Sequence, residues 1–257
     1  MFQRLIDWND PDFGDEAHEW IKILRQYKKL LEWQSRKSTQ HKVQNEWEKY
    51  ETQFPKTFIQ LFDPKYIKDV YESSLTADQW FEKAYKSSSL DDQIKFYTNA
   101  INLKPNYSAA YNNRGAALDS LQRYDEAISD YSQAITLDPK YFAAYNNRGV
   151  SYFGKRNFDQ AILDYNNAII LNPFYAEAFN NRGNVYFDRK EYTKAKSDYE
   201  EAIRFDKEYA NAYFNLGQVY FNIKDFVNAK IYYEQALKFD PTIDLAQSHI
   251  YFIDNLA

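Results

Sequence analysis

Small and aromatic residues return at a fixed interval along the chain from about residue 74 onward. Glycines, alanines, tyrosines and prolines each form a series whose members lie 34 residues, or once 68, apart. The series are Gly115, Gly149, Gly183 and Gly217; Ala127, Ala161, Ala195 and Ala229; Tyr131, Tyr165, Tyr199 and Tyr233; and Pro105, Pro139, Pro173 and Pro241. So regular a pattern predicts one structural unit that is copied several times.

Each copy is predicted to form two antiparallel helices. In residues 142–175, apolar and small residues recur at helical spacing first around Gly149 and again around Ala161. A proline after the second helix removes an N–H donor and discourages further helix. One helical pair cannot bury its own apolar face, so the copies are predicted to stack. The 24 Tyr and 19 Phe are therefore predicted to be mostly core.

We count four clear copies and one degenerate copy. The clear copies are 108–141, 142–175, 176–209 and 210–243, and the first two agree at 17 of 34 positions. The degenerate copy covers 74–107 and keeps Tyr97 and Pro105, but has Phe81 where the glycine belongs. Within every copy we number the places from the first residue onward.

This spacing resembles the tetratricopeptide repeat, which has a 34-residue period and aromatic, glycine, alanine and proline residues at set places. In the copy 108–141 the pattern is carried by Tyr111, Gly115, Leu118, Ala127, Tyr131 and Pro139. The resemblance implies an all-α fold, a right-handed α-solenoid of helix-turn-helix repeats with a concave surface. It also implies that the partner is another protein or peptide.

Two places within the copies change together, which suggests that they touch. Arg114, Arg148 and Arg182 occupy the seventh place of the three copies that have Asp130, Asp164 and Asp198 at the twenty-third. The other two copies combine Trp80 with Phe96 and Leu216 with Tyr232. We predict a charged contact across the helical pair in three copies and an apolar contact in two.

Two further segments flank the array. Residues 244–257 are predicted to form a capping helix. Residues 1–73 do not follow the interval and are predicted to form an N-terminal helical extension, which serves as a cap or as a docking element. Residues 22–42 contain seven basic residues and one acid, Glu32. This is typical of a solvated helix face, and contact with nucleic acid or an acidic partner is the alternative.

Composition and charge narrow the class of protein. The 257 residues include 32 Lys and Arg and 37 Asp and Glu, a formal net charge of −5 that gives no overall case for binding nucleic acid or an acidic membrane. There is no cysteine, so disulfides and thiolate chemistry are excluded. The sequence shows neither a signal core nor an apolar run long enough for a membrane helix, so we expect a cytoplasmic protein without membrane insertion.

No catalytic residue, metal site or cofactor site is predicted. His18, His41 and His249 are isolated in the sequence and lack the spacing of metal ligands. A chain with only six glycines is poorly suited to a phosphate-binding loop, which needs unobstructed backbone N–H groups. We therefore do not expect an enzyme.

The resemblance implies that a ligand binds along the first helices, which line the concave surface in this family. Asparagine occupies the sixth place of every clear copy and the fifth place of three copies. Its amide both donates and accepts, which suits the backbone of an extended peptide. The candidate peptide-binding residues are Asn113, Asn147, Asn181 and Asn215 at the sixth place, Asn112, Asn146 and Asn180 at the fifth, and their neighbours Asn184, Gln218, Phe153, Phe187 and Phe221.

Other uses of the same residues stay open. The asparagine column could instead space or cap neighbouring helices, and the chain could be a structural subunit that docks through residues 1–73. Some family members clamp the C-terminal carboxylate of chaperones with cations on successive first helices. The second place here reads Ala109, Ala143, Glu177 and Asn211, and the sixth is never Arg. A terminal carboxylate would lack cationic partners, so we predict no binding of chaperone tails.

Overall fold

The computed structural model describes Glu72 and residues 75–256 of the chain. Leu75–Ala257 form one compact unit, and the helices described in it number eleven. They are α1 Ala77–Tyr85, α2 Leu90–Leu103, α3 Ser108–Ser120, α4 Tyr124–Leu137, α5 Phe142–Gly154, α6 Phe158–Leu171, α7 Ala176–Asp188, α8 Tyr192–Phe205, α9 Ala210–Asn222, α10 Phe226–Phe239 and α11 Asp244–Asp254. The predicted N-terminal extension and the basic stretch 22–42 lie outside the described residues.

Consecutive helices pack as antiparallel pairs, and each pair packs on the next. The closest packing is within α1–α2, α3–α4, α5–α6, α7–α8 and α9–α10, followed by that of each second helix on the first helix of the next pair. No strand occurs in residues 75–256. The predicted all-α solenoid of stacked helical pairs is confirmed.

Each turn from a first helix of residues 108–243 to its second helix contains one residue with a left-handed backbone. The φ angle lies between 58° and 64° at these residues, which are Gln122, Arg156, Lys190 and Lys224. After α5, the Asn157 N–H donates to the Tyr152 carbonyl and the Arg156 N–H to the Phe153 carbonyl, both at 2.8 Å. These two bonds close the end of the helix and reverse the chain into α6.

The glycine of each first helix lies directly against the tyrosine of the second helix. A Cβ placed on Gly149 would stand 2.7 Å from the nearest ring carbon of Tyr165, and the other three repeat glycines give 2.7 or 2.8 Å. Tyr165 is 1% exposed, so its ring has nowhere to move. A hydrogen in place of a side chain is what allows the two helices to approach this closely.

The predicted contact between the seventh and twenty-third places is confirmed. Arg148 donates two hydrogen bonds of 2.8 Å to the two carboxylate oxygens of Asp164, and the other two charged copies show the same geometry. The third guanidinium nitrogen of Arg148 donates to Ser132 of the preceding copy at 2.9 Å. One arginine therefore ties together two copies as well as two helices.

The two remaining copies have apolar or aromatic residues at the same places, and the predicted contact is seen directly for Trp80 and Phe96. Trp80 and Phe96 have ring centroids 5.4 Å apart. Leu216, which is 1% exposed, lies in the same apolar cluster as Tyr232.

Helix α11 occupies the position that the first helix of a sixth repeat would take. Asp244 follows Ala210 by 34 residues, and Ala246 is fully buried like Ala212 at the same place of the preceding copy. Ala246 packs on Ala229 and Tyr233 of the last pair. Tyr251 stands at the place of the repeat glycine and is 73% exposed. None of the described helices is both long and apolar enough to cross a membrane.

Candidate functional site

The first helices of the four clear copies lie side by side on one face of the array. Successive members of α3, α5, α7 and α9 contact each other more extensively than successive second helices do in the described part of the chain. This closer approach makes the first-helix side the inner, concave one. Places 2, 6, 9 and 13 fall at helical spacing on it, and we call the surface formed by these places and place 12 the groove.

The sixth-place asparagines form a chain of hydrogen bonds from copy to copy, which we call the amide ladder. The Nδ2 of Asn147 donates to Oδ1 of Asn112 at 3.1 Å, and Asn181 does the same to Asn146. Asn215 donates to Asn180 at 2.9 Å. Each rung therefore joins the sixth place of one copy to the fifth place of the copy before it.

The fifth-place asparagines lie in the interior, at the back of the ladder. Asn112, Asn146 and Asn180 are 7%, 0% and 4% exposed. A buried amide needs partners, because an unpaired polar group away from water is costly. Asn146 uses its Nδ2 to donate to Asn147 at 3.4 Å and to Glu177 at 3.3 Å, and its Oδ1 accepts from Asn181. These residues hold the sixth-place side chains from behind and do not face the groove.

The hydrogen-bond partners of the amide ladder differ at its first and last rungs. At the first rung Asn113 donates to the hydroxyl of Tyr97 at 3.3 Å, since the preceding copy has no asparagine at its fifth place. At the last rung Asn215 also donates to Asn184 at 3.0 Å, and Asn184 accepts from the hydroxyl of Tyr199 at 2.9 Å. Burial raises the pKa of this tyrosine, so it remains a neutral donor.

His249 continues the sixth-place column beyond the last repeat. Its ring stacks on Tyr233 with centroids 5.0 Å apart and lies 4.9 Å from the ring of Phe221. Phe214 stands at the fifth place before it, so no amide is available as a partner. His249 Nδ1 and the Tyr233 hydroxyl are buried without a hydrogen-bond partner. In the sequence, His249 has no metal-ligand or catalytic motif around it. Only its spacing of 34 residues from Asn215 could have indicated that it lies at the sixth place of a further repeat.

The phenylalanines at place 12 are half-buried, and each packs on the first aromatic residue of its own second helix. The ring centroids are 5.8 Å apart for Phe153 and Phe158 and 5.6 Å for Phe187 and Tyr192. Phe221 packs on Phe226 at 5.5 Å. These rings give the groove an apolar edge. Gln218, at place 9, is half-buried and no hydrogen bond of its side chain is seen.

The charges on the first helices fall into two groups. The three arginines are committed to their aspartates, and for Arg148 the hydrogen bonds to Asp164 raise the guanidinium pKa. The carboxylates Asp119, Glu177 and Asp188 form no ion pair with Lys or Arg of the described residues. Asp119 accepts from the Ser151 hydroxyl, and burial raises its pKa. Over residues 75–256 no group of three or more His, Asp or Glu is arranged to hold a metal ion.

Models of one repeat family match this chain. A model described as tetratricopeptide repeat matches residues 108–141, 142–175 and 210–243, and one described as TPR repeat matches residues 183–224. Together they cover just over half of the sequence. No curated protein matches the chain.

Solved structures of TPR proteins share the fold. MamA is 26% identical with a TM-score of 0.53, over 59% of this chain and 89% of that chain. TTC0263, a thermophilic TPR protein of Thermus thermophilus, is 18% identical with a TM-score of 0.60, over 70% of this chain and all of its own. YrrB, described as a TPR protein with an unusual peptide-binding site, is 21% identical with a TM-score of 0.52, over 71% and 95%.

The repeat models, the stacked helical pairs and the structural neighbours agree with one another. Proteins built from these repeats generally serve as modules that bind other proteins or peptides, rather than as catalysts. The chain belongs to the tetratricopeptide repeat family and is a protein-interaction scaffold.

Proposed function

We propose that the chain is an adaptor that holds an extended segment of another protein in the groove. The observation that carries this proposal is the amide ladder. It presents one asparagine side chain at the same place of four consecutive copies, on the open side of the first helices. A row of equivalent amides matches the repeating donors and acceptors of an extended backbone.

The ladder also holds these amides in place before any ligand arrives. Asn147, Asn181 and Asn215 are each fixed by a hydrogen bond of 2.9 to 3.1 Å to the copy before them. Side chains that are already ordered lose less conformational entropy on binding, so a fixed row favours affinity. Specificity would come from the neighbouring groove residues Asn184 and Gln218 and from the place-12 phenylalanines.

Removing the asparagines is a poor test of this function, because they also stabilise the fold. An Asn147→Ala change would leave the buried Asn112 Oδ1 without its donor from the next copy, at a cost of about 1–3 kcal/mol. A loss of binding could then reflect a loosened array. Blocking the groove with a bulky residue at an exposed place avoids this difficulty.

The test is affinity capture from the native lysate with the full chain and a groove-blocked variant. Ala116→Trp and Asn211→Trp together put large side chains at places 9 and 2 of α3 and α9, where both residues are exposed. Gln133→Trp and Gln160→Trp form the matched control, since they add the same rings at exposed sites on second helices.

We expect a partner that the control retains and the groove-blocked variant loses, with equal helicity by circular dichroism. Photo-crosslinks from the partner should then map to the first helices. A partner that both variants hold equally would contradict the proposal. That result would indicate that the partner binds to residues 1–73 or to the second-helix surface.

A further inference from the structure

We propose that the segment held in the groove is cationic, an extended peptide whose Lys or Arg side chains face Asp119, Glu177 and Asp188. This inference rests on the proposed function and adds the chemistry of the partner. It is carried by the uncompensated negative charge of the groove, and the free amide oxygens of the ladder are compatible with it.

The unpaired charge of the four first helices is entirely negative. Helices α3, α5, α7 and α9 contain three carboxylates and three arginines. Each arginine is held by two hydrogen bonds to an aspartate of its own copy, and these aspartates are 2–5% exposed. The three carboxylates lie at places 12, 2 and 13, which are groove places. Glu177 and Asp188 are exposed and Asp119 is half-buried.

Two of the three carboxylates accept hydrogen bonds, and these bonds come from neutral groups that leave the negative charge uncompensated. Asp119 accepts from Ser151, and Glu177 accepts from Asn146 and from the hydroxyl of Tyr175 at 2.8 Å. All three donors are neutral. A carboxylate that lacks a counter-ion is a favourable site for an incoming ammonium or guanidinium group.

The amide ladder leaves free acceptor oxygens for a ligand, beside the second Nδ2 proton of Asn113, Asn147 and Asn181. Each sixth-place asparagine donates a hydrogen bond from Nδ2 to a residue of the preceding copy. The Oδ1 atoms of Asn181 and Asn215 accept no hydrogen bond from the described residues. An amide oxygen can accept two bonds. The groove therefore offers free oxygen atoms that can accept hydrogen bonds from the N–H groups of a backbone and of Lys or Arg side chains.

Four of the six cations in the turns after the first helices, Arg123 among them, contact second-helix residues, whereas Lys190 and Lys224 form no ion pair within the described part of the chain. Lys155 pairs with Asp125 and Arg189 with Asp159, and both aspartates belong to second helices. Arg156 lies with its guanidinium 5.2 Å from the ring of Phe158, which starts α6. These groups belong to the turns after the first helices and point towards the second-helix side.

The experiment is a selection from a display library of random dodecapeptides on the full chain. Peptides that also bind the Ala116→Trp, Asn211→Trp variant are discarded, so that only groove-dependent sequences remain. We expect these sequences to be enriched in Lys and Arg and depleted in Asp and Glu. Their affinities should fall with added salt, because exposed charge pairs are screened.

A charge-neutral variant then assigns the preference to the three carboxylates. Asp119→Asn, Glu177→Gln and Asp188→Asn keep the shape and the acceptor oxygens. Exposed charge pairs are individually weak, so the loss of all three should reduce the affinity of the selected peptides roughly tenfold. The control Glu208→Gln, Glu234→Gln and Asp244→Asn removes the same charge from exposed sites off the groove and should change affinity less than about twofold.

The outcomes separate this inference from the function on which it rests. Groove-dependent peptides that are neutral or acidic would overturn the cationic partner and leave the groove as a peptide site. Equal losses in the two charge variants would also overturn it, since the effect would then be net charge alone. A selection that yields no groove-dependent peptide would contradict the proposed function itself.

Discussion

Gly149 shows how a single hydrogen atom sets the distance between two helices. A methyl group there would lie 2.7 Å from the ring of Tyr165, which is 1% exposed. The same meeting of glycine and tyrosine occurs in all four clear copies, so the residue pair is a repeated spacing element of the array.

We expect Gly149→Ala to destabilise the fold by about 1–2 kcal/mol. Overpacking of a rigid site destabilises a fold by about 1–3 kcal/mol. The higher helix propensity of alanine than of glycine offsets up to about 1 kcal/mol of that loss. Urea unfolding followed by circular dichroism measures the difference. Gln133→Ala, at an exposed site on α4, is the control and should lie within about 0.5 kcal/mol of the parent chain. A variant as stable as the parent would show that the tyrosine ring can move.

Asp119 provides a pH-dependent test at the residue scale. Burial raises the pKa of this carboxyl in the folded chain, so the folded state binds its proton more tightly than the unfolded state. Its contribution to the free energy of unfolding therefore falls as the pH rises through the interval between the ordinary and the raised pKa. The change Asp119→Asn would keep an acceptor for the Ser151 hydroxyl without this dependence.

We accordingly expect Asp119→Asn to be more stable than the parent chain at about pH 7, with the difference shrinking towards about pH 4. Urea unfolding at several pH values measures it. Asp188→Asn removes the same charge from an exposed site and is the control. A difference that grows as the pH falls would contradict the assignment.

At the scale of elements, a helical pair can be joined by a salt bridge or by an apolar contact at the same two places. Asp164 is 2% exposed, so its charge depends on Arg148. The last copy reaches the same packing with Leu216 and Tyr232 and has no buried charge at these places. The two solutions are alternatives because both places face each other across one helix interface.

We expect Arg148→Leu alone to cost about 3–5 kcal/mol, because it leaves Asp164 buried and unpaired. The double change Arg148→Leu, Asp164→Tyr copies the last repeat and should recover at least half of that loss. A double-mutant cycle that includes Asp164→Tyr alone measures the coupling. Strictly additive losses would show that the two places are independent.

On the scale of the whole array, each copy contacts only its neighbours, so stability is expected to be local. Helix α11 covers the last copy by packing Ala246 against Ala229 and Tyr233. Removing it would expose apolar surface at one end and leave the other copies in contact with their partners.

Deletion of residues 244–257 should therefore loosen α9 and α10 while α3 and α4 keep their protection against hydrogen exchange. The loss in stability should be about 2–4 kcal/mol, the scale of a few newly exposed apolar side chains. Hydrogen exchange read by mass spectrometry resolves the two ends of the array. Leu245→Ser, a change at a residue that is 61% exposed, is the control. A uniform loss of protection would indicate that the array unfolds as one unit.

The sequence alone determined the repeat, the helical pairs and the contact between Arg148 and Asp164. These follow from local rules, since a 34-residue interval fixes which residues meet whenever identical units stack. The limits of the domains and the identity of the binding residues stay predictions.

Only the tertiary structure decided how the asparagines are used. A sequence shows that Asn146 and Asn147 are neighbours, but not that one is buried and the other faces the groove. Apart from the bond between these two residues, their partners belong to other copies, at separations of 31 and 35 residues. The direction of those hydrogen bonds therefore depends on the stacking of whole helices. The same holds for His249 and for the three carboxylates without counter-ions. Whether a charge is compensated depends on distances in space, and spacing along the chain does not supply them.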